Sequence, residues 1–130
     1  MNKKQPKYTS VWVGENFAVV RPNHRLVGDY ETDEFEAIVK QLADQQPEFV
    51  VVDLGAIDWI NSIGLSALYA ARQQFAERGT RLRLARVDKR IDSMLILTKL
   101  ALFFETFHDV KEAIAAGAGE PDEVATTAPA

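Results

Sequence analysis

Apolar and polar positions fall into blocks along the chain, and the period changes from block to block. Val11 to Val13 and Phe17 to Val20 are short runs of β-branched and aromatic residues separated by Gly14-Glu15-Asn16. Two such runs joined by a three-residue turn containing glycine predict a hairpin. Residues 22–30 are irregular, with Leu26-Val27 a candidate for a short third strand. From Asp33 the period becomes helical. Phe35, Ile38, Val39 and Leu42 form one apolar stripe, Asp33 and Glu36 make a plausible capping pair, and Gln45-Gln46-Pro47 ends the helix. Phe49 to Leu54 is a continuous apolar run broken only by Asp53, which predicts a central strand covered on both faces, or on one face and an end. Gly55 to Asn61 reads as a connection. A second helix spans about Ser62 to Glu77, with Leu65, Leu68, Tyr69, Ala71 and Phe75 inward and Gly79 as its stop. Arg81 to Val87 alternates, so it predicts a strand with one wet face. Asp88 caps a third helix running to about Thr98, with Ile91, Met94, Leu95 and Leu97 apolar. Phe103 to Phe107 offers a last strand, and Asp109 caps a final helix that ends at Gly117.

The succession is an opening hairpin followed by helices alternating with strands. It predicts an α/β fold: a small mixed sheet, parallel in its later strands, with helices packed mainly on one face. The chain divides into a flexible N-terminus (1–7), one domain (8–116) and a disordered acidic tail (117–130). The tail, GAGEPDEVATTAPA, has one branched apolar residue, Val124, too little to offset the entropy of ordering it.

Charge and composition narrow the function. The net charge is −4, and Glu120, Asp122 and Glu123 of the tail supply three of those charges, leaving −1 for residues 1–116. That balance argues against a nucleic-acid binder held by phosphate contacts. There is no cysteine, which excludes disulfides, thiolate metal sites and cysteine nucleophiles. Two histidines, His24 and His108, cannot build a three-histidine metal site, and neither has a matched serine and acid. No apolar run approaches the ~18–20 residues of a membrane span. Met1 to Lys7 is polar, with none of the apolar stretch of a signal peptide. A cytoplasmic location is the expectation, with no cofactor called for by any motif.

The loop after the most buried strand is where an open parallel sheet carries function. It runs Gly55 to Asn61 and delivers Ser62 to a helix N-terminus. A phosphate on Ser62 would meet the first helical amides and the positive end of the helix dipole. The plainer reading is that Asn61 or Ser62 is a helix N-cap, worth roughly 1 kcal/mol. Gly64, in the first turn, costs roughly 1 kcal/mol of helix propensity against alanine. It either admits a partner's backbone or packs closely on the sheet. Trp59 is either an anchor over the core or an exposed contact. Asp53 and Asp58 flank the loop, a weak pattern for Mg²⁺. Arg81, Arg83 and Arg86 read as the solvated face of a strand.

Val50-Val51-Val52-Asp53-Leu54, then Ile57, then Ile60-Asn61-Ser62-Ile63-Gly64-Leu65-Ser66-Ala67-Leu68, resembles the core motif of STAS domains, the anti-sigma factor antagonists. The similarity continues through Gly79, Leu82 to Leu84, and Leu95 to Leu100 with Phe104, and spans about residues 8–116. It implies a sheet with helices on one side, and a switch. In the antagonist branch an anti-sigma factor serine kinase phosphorylates the serine matching Ser62. The unphosphorylated protein binds that kinase and frees a sigma factor, and a metal-dependent serine phosphatase restores it. The resemblance makes this chain a substrate of phosphoryl transfer and not an enzyme, with Asp58, Trp59, Asn61, Ser62, Ile63 and Gly64 at the partner-binding edge.

Three positions depart from the family pattern. The aspartate often found before the serine is Asn61. The usual Gly-x-Leu-Asp after the hairpin is His24-Arg25-Leu26-Val27. The Leu-Thr-Gly-Leu segment reads Leu97-Thr98-Lys99-Leu100. Two acids are thus missing around Ser62, which keeps a second reading open: a STAS scaffold or subunit, in a signalling or transport assembly, that is not phosphorylated. A third is a nucleotide or small-ligand binder using the loop 55–62, though no phosphate-binding loop is present.

Overall fold

A computed structural model describes residues 6–116. The readings made for the first residues, for the tail and for the stop at Gly117 lie outside the described residues. Five strands form the main sheet. β1 (Thr9–Val13) and β2 (Phe17–Pro22) are the expected antiparallel hairpin. β4 (Phe49–Asp53), β6 (Arg81–Ala85) and β7 (Glu105–Phe107) follow in parallel, in the order β1-β2-β4-β6-β7. Every residue of β4 is buried, as its unbroken apolar run requires.

The helices divide between the faces. α1 (Tyr30–Gln45), α2 (Ser62–Glu77) and α3 (Lys89–Leu97) cover the face carrying Ala18, Val20, Val50, Val52, Leu82 and Leu84. α4 (Val110–Ala115) covers part of the other, where Val19, Phe49, Val51, Ala85 and Ala113 meet. α2 stops as its sequence demands. Gly79 has φ +81°, its N–H bonds to the Ala76 carbonyl, and Thr80 N–H returns to the Phe75 carbonyl. Asp88 and Asp109 cap α3 and α4 by accepting from Ile91 and Glu112 amides.

Five local expectations need correcting. α1 starts at Tyr30, with Asp29 as its N-cap, so Asp33 lies inside the first turn and forms no capping pair. The connection 55–61 contains a strand, β5 (Ile57–Ile60), which pairs in parallel with β3 (His24–Leu26) as a separate two-stranded sheet. Its partner lies more than thirty residues back, and pairing at that distance leaves no mark in the local period. The last strand begins at Glu105, because Leu100–Phe103 winds into a 3-10 turn. α3 buries only Ile91 and Leu95, while Ile96 and Leu97 face outward.

The fifth correction concerns β6, which has no wet face. Leu82, Arg83, Leu84 and Ala85 are all buried. The Arg83 guanidinium lies 4.3 Å from the Phe49 ring centroid and donates to the Ala113 carbonyl at 3.0 Å. α4 and the aromatic row Phe17-Phe49 create an apolar back face, and an arginine suits it because its flat guanidinium stacks on rings.

Lys99 explains one of the family departures. Its φ is +66°, the left-handed region in which glycine is at ease and a side chain is not. Lys99 is exposed and its side chain has no hydrogen bond among the described residues. Lys99→Gly should therefore raise unfolding stability by ~0.5–1 kcal/mol, the left-handed penalty less the added freedom of the unfolded chain. A urea titration of both proteins checks this.

Candidate functional site

The site is built where the two-stranded sheet meets the start of α2. Asn61 has extended backbone and is the N-cap. Its Oδ1 accepts from the amides of Ile63 and Gly64, each at 3.0 Å, and its Nδ2 donates to the Val27 carbonyl at 3.2 Å. Leu65 N–H closes the first helical bond onto the Asn61 carbonyl. Capping falls to Asn61, so Ser62 is left over. It is the first helical residue, it is exposed, and its hydroxyl is in no hydrogen bond among the described residues.

Gly64 is buried, and the close approach that demands a glycine is made within the chain. A methyl at Gly64 would sit 2.1 Å from the Leu26 carbonyl oxygen and 2.8 Å from Cγ1 of Ile60. α2 thus rests its first turn directly on β3, and Gly64 shapes the site from beneath. Beside it, Gly28 has φ +99° and turns the chain against the side chain of Ile63.

The other expected edge residues are on the surface. Trp59 is 61% exposed and Ile63 56% exposed, so Trp59 is an outward residue and not a core anchor. Asp58 is exposed, its carboxylate 3.1 Å from Nδ1 of His24, and its carbonyl accepts from Arg90. Tyr30, at the start of α1, is 78% exposed. The structure gives Asp53 and Asp58 separate partners. Asp53 is buried and takes two hydrogen bonds from Arg86, at 2.9 and 3.0 Å, and one from the Gly55 amide. Among the described residues, no group of three or more acids and histidines could hold a metal ion. Of the three arginines read as a solvated face, Arg83 is core and Arg86 is tied to Asp53.

Glu31 and Thr32 were not singled out from sequence, yet they organise the β3–α1 turn. Oε2 of Glu31 accepts from the amides of Val27 (2.8 Å) and Asp29 (3.2 Å) and from the Thr32 hydroxyl (3.1 Å). Thr32 Oγ1 accepts from the Gly28 amide at 2.9 Å. Three consecutive N–H groups therefore converge on one buried pair. Arg25 adds its Nε 3.5 Å from Oε1. Burial by itself would raise the Glu31 pKa. The backbone bonds, led by Val27, and the Thr32 hydroxyl outweigh it and hold the carboxyl below its ordinary value. The available signal was an acid and a threonine just after Gly28-Asp29-Tyr30, in what proves to be the first turn of a helix.

A family model described as STAS domain matches residues 13–113. Solved structures of similar fold include an anti-sigma factor antagonist from Mycobacterium paratuberculosis, 21% identical, covering 83% of this chain and 91% of that one, with a TM-score of 0.71. The Bacillus cell fate determinant SpoIIAA in its phosphorylated form is 13% identical over 83% of this chain and 97% of its own, with a TM-score of 0.67. A sulfate transporter family protein from Wolinella succinogenes is 18% identical over 81% and 87%, with a TM-score of 0.66. At these identities the likeness establishes the fold. No curated protein matches the chain.

Two outcomes follow from this geometry. Gly64→Ala should destabilise the protein by about 2–3 kcal/mol, because overpacking against backbone exceeds the gain in helix propensity. Chemical denaturation measures it. The second concerns acid. The unfolded chain binds the Glu31 proton more tightly than the folded one, so protonation favours unfolding. This contribution is complete above the ordinary value of 4.5 and is lost as pH falls through the lower folded value. Unfolding free energy plotted against pH should fall less steeply below pH 4.5 in Glu31→Gln than in the wild type.

Proposed function

The chain belongs to the STAS domain family, and we propose that it works as an anti-sigma factor antagonist, binding an anti-sigma factor serine kinase until Ser62 is phosphorylated. The observation that carries this reading is the division of labour at the start of α2. Asn61 does the capping, and Ser62 is left exposed with a hydroxyl that the fold does not use.

In the unphosphorylated state the kinase docks on the edge formed by Asp58, Trp59, Ser62 and Ile63. The exposed Trp59 and Ile63 supply apolar anchoring area. Phosphorylation adds about −1.5 to −2 charges and three acceptor oxygens at pH 7. The Ile63 and Gly64 amides are already bonded to Asn61 and the Leu65 amide to the Asn61 carbonyl. Of the first-turn amides, the one at Ser62 itself is the exception. The phosphate therefore stays at the surface, and its charge and hydration oppose docking. A metal-dependent serine phosphatase reverses the step. The protein contributes an acceptor and a surface, and the chemistry belongs to its partners.

The scaffold reading keeps one specific support. Asn61 and Val27 stand where the family often carries acids, and here they bond to each other. Mass analysis after co-expression with the anti-sigma kinase of the same genome separates the two readings. Phosphate on Ser62 supports the switch, and an unmodified chain supports the scaffold. In titration calorimetry with that kinase, Ser62→Ala should bind within about threefold of wild type. Ser62→Asp should bind at least about tenfold more weakly, a loss of ~1.4 kcal/mol. Equal affinity for all three proteins would remove the switch.

A further inference from the structure

We infer that Glu31 is a positioning residue for the acceptor site, acting on the N-terminus of α2 through Val27 and Asn61. The inference rests on the reading of Ser62 given above, but its mechanical part stands without a kinase. Glu31 makes no hydrogen bond or ion pair with Asn61, Ser62 or Ile63. It lies in the first turn of α1, only 2% exposed, with its carboxylate on the Val27 and Asp29 amides and on the Thr32 hydroxyl. Thr32 in turn holds the intervening Gly28 amide.

The Val27 carbonyl shares its peptide plane with the Gly28 N–H, which Thr32 holds; the Thr32 hydroxyl in turn donates to Glu31, and the Glu31 bonds to the Val27 and Asp29 amides fix the planes on either side. That carbonyl is the acceptor for Asn61 Nδ2. Asn61 is then held at both ends of its side-chain amide, Nδ2 on the turn and Oδ1 on the helix cap. Its side chain cannot rotate without breaking bonds on one side or the other. Gly28, set at φ +99° by the same turn, supports Ile63 from below. The path is continuous: Glu31 carboxylate, Thr32 hydroxyl, Gly28 amide with the Val27 carbonyl of the same peptide, Asn61, first helical turn. Asp29 and Arg25 complete the surroundings, with Arg25 within 3.6 Å of both Asp29 and Glu31 carboxylates. An ionised acid suits the place because it lies at the positive end of α1.

The test is amide hydrogen exchange by NMR on the full chain, comparing wild type, Glu31→Gln, Asn61→Ala and the double variant. Glu31→Gln should speed exchange at Val27, Gly28 and Asp29 and also, by about tenfold, at Ile63 and Gly64. In the Asn61→Ala background the same change should leave Ile63 and Gly64 unaffected, since the path is already cut. Exchange at Ile63 and Gly64 that stays at the wild-type rate in Glu31→Gln, or effects that simply add in the double variant, would overturn the inference. Thr32→Val, which removes only the Gly28 anchor and one donor, gives the same comparison should Glu31→Gln fail to fold. With a kinase that modifies the wild type, Glu31→Gln should lower kcat for Ser62 about tenfold at unchanged KM. A wild-type chain that no kinase modifies would remove the proposed switch, while the exchange result would still decide the role of Glu31.

Discussion

The contact between Gly64 and the Leu26 carbonyl sets the geometry of everything around it. A helix that begins with its backbone lying on a strand can do so only where a side chain is missing, and Gly64 supplies that gap. The consequences follow in order. α2 starts close over β3, which pairs with β5 in the small second sheet, with a register shift between His24 and Arg25. Asn61 then stands above the β3–α1 turn, near enough to bond to it. Ser62, one residue further on, points away from all of these partners. Exposure of the serine is therefore an outcome of packing one turn below it.

The two missing acids look different once their neighbours are known. An aspartate at 61 could still cap Ile63 and Gly64, but it has no N–H to give the Val27 carbonyl. An acid at 27 would add a second negative charge to a turn that already gathers around the Glu31 carboxylate. Asn61 and Val27 form a matched pair: one supplies a donor, and the other presents a carbonyl from a neutral side chain. The site exchanges surface charge for an internal hydrogen bond. A phosphate arriving at Ser62 would meet fewer like charges from its own protein than the family pattern provides.

Much of this was legible in the chain, and most of the illegible parts share a cause. β4 was readable because a run of valines buried on both faces has few alternatives. The caps at Asp88 and Asp109 and the stop at Gly79 were readable because each is a local bond between residues two to five apart. Asn61 and Ser62 could be placed at a helix start, but spacing could not say which of them caps it, since both residue types cap well. β5 was missed, and β3 was only touched at Leu26-Val27, because their pairing joins segments over thirty residues apart. Arg83 was misread because alternation with leucine describes a half-wet strand until α4, a later element, covers the second face. Glu31 escaped for another reason: its partners are local, but with the helix expected from Asp33 it fell outside the first turn, which in fact begins at Tyr30.

The proposed switch could be added to this fold without unsettling it. Each group that holds the site together is either buried or spent. The Glu31 carboxylate, the Thr32 hydroxyl, both ends of the Asn61 amide and the amides of Ile63 and Gly64 all have partners within the chain. A surface group with no internal bond can change charge at little cost to the folded state, since nothing inside must be given up. Its cost falls on whatever comes to cover it, where the new charge has to be stripped of water or matched. A serine doing its own capping would have put folding and signalling in competition for one oxygen. Here a neighbouring asparagine carries the structural task, and the hydroxyl beside it is left without one.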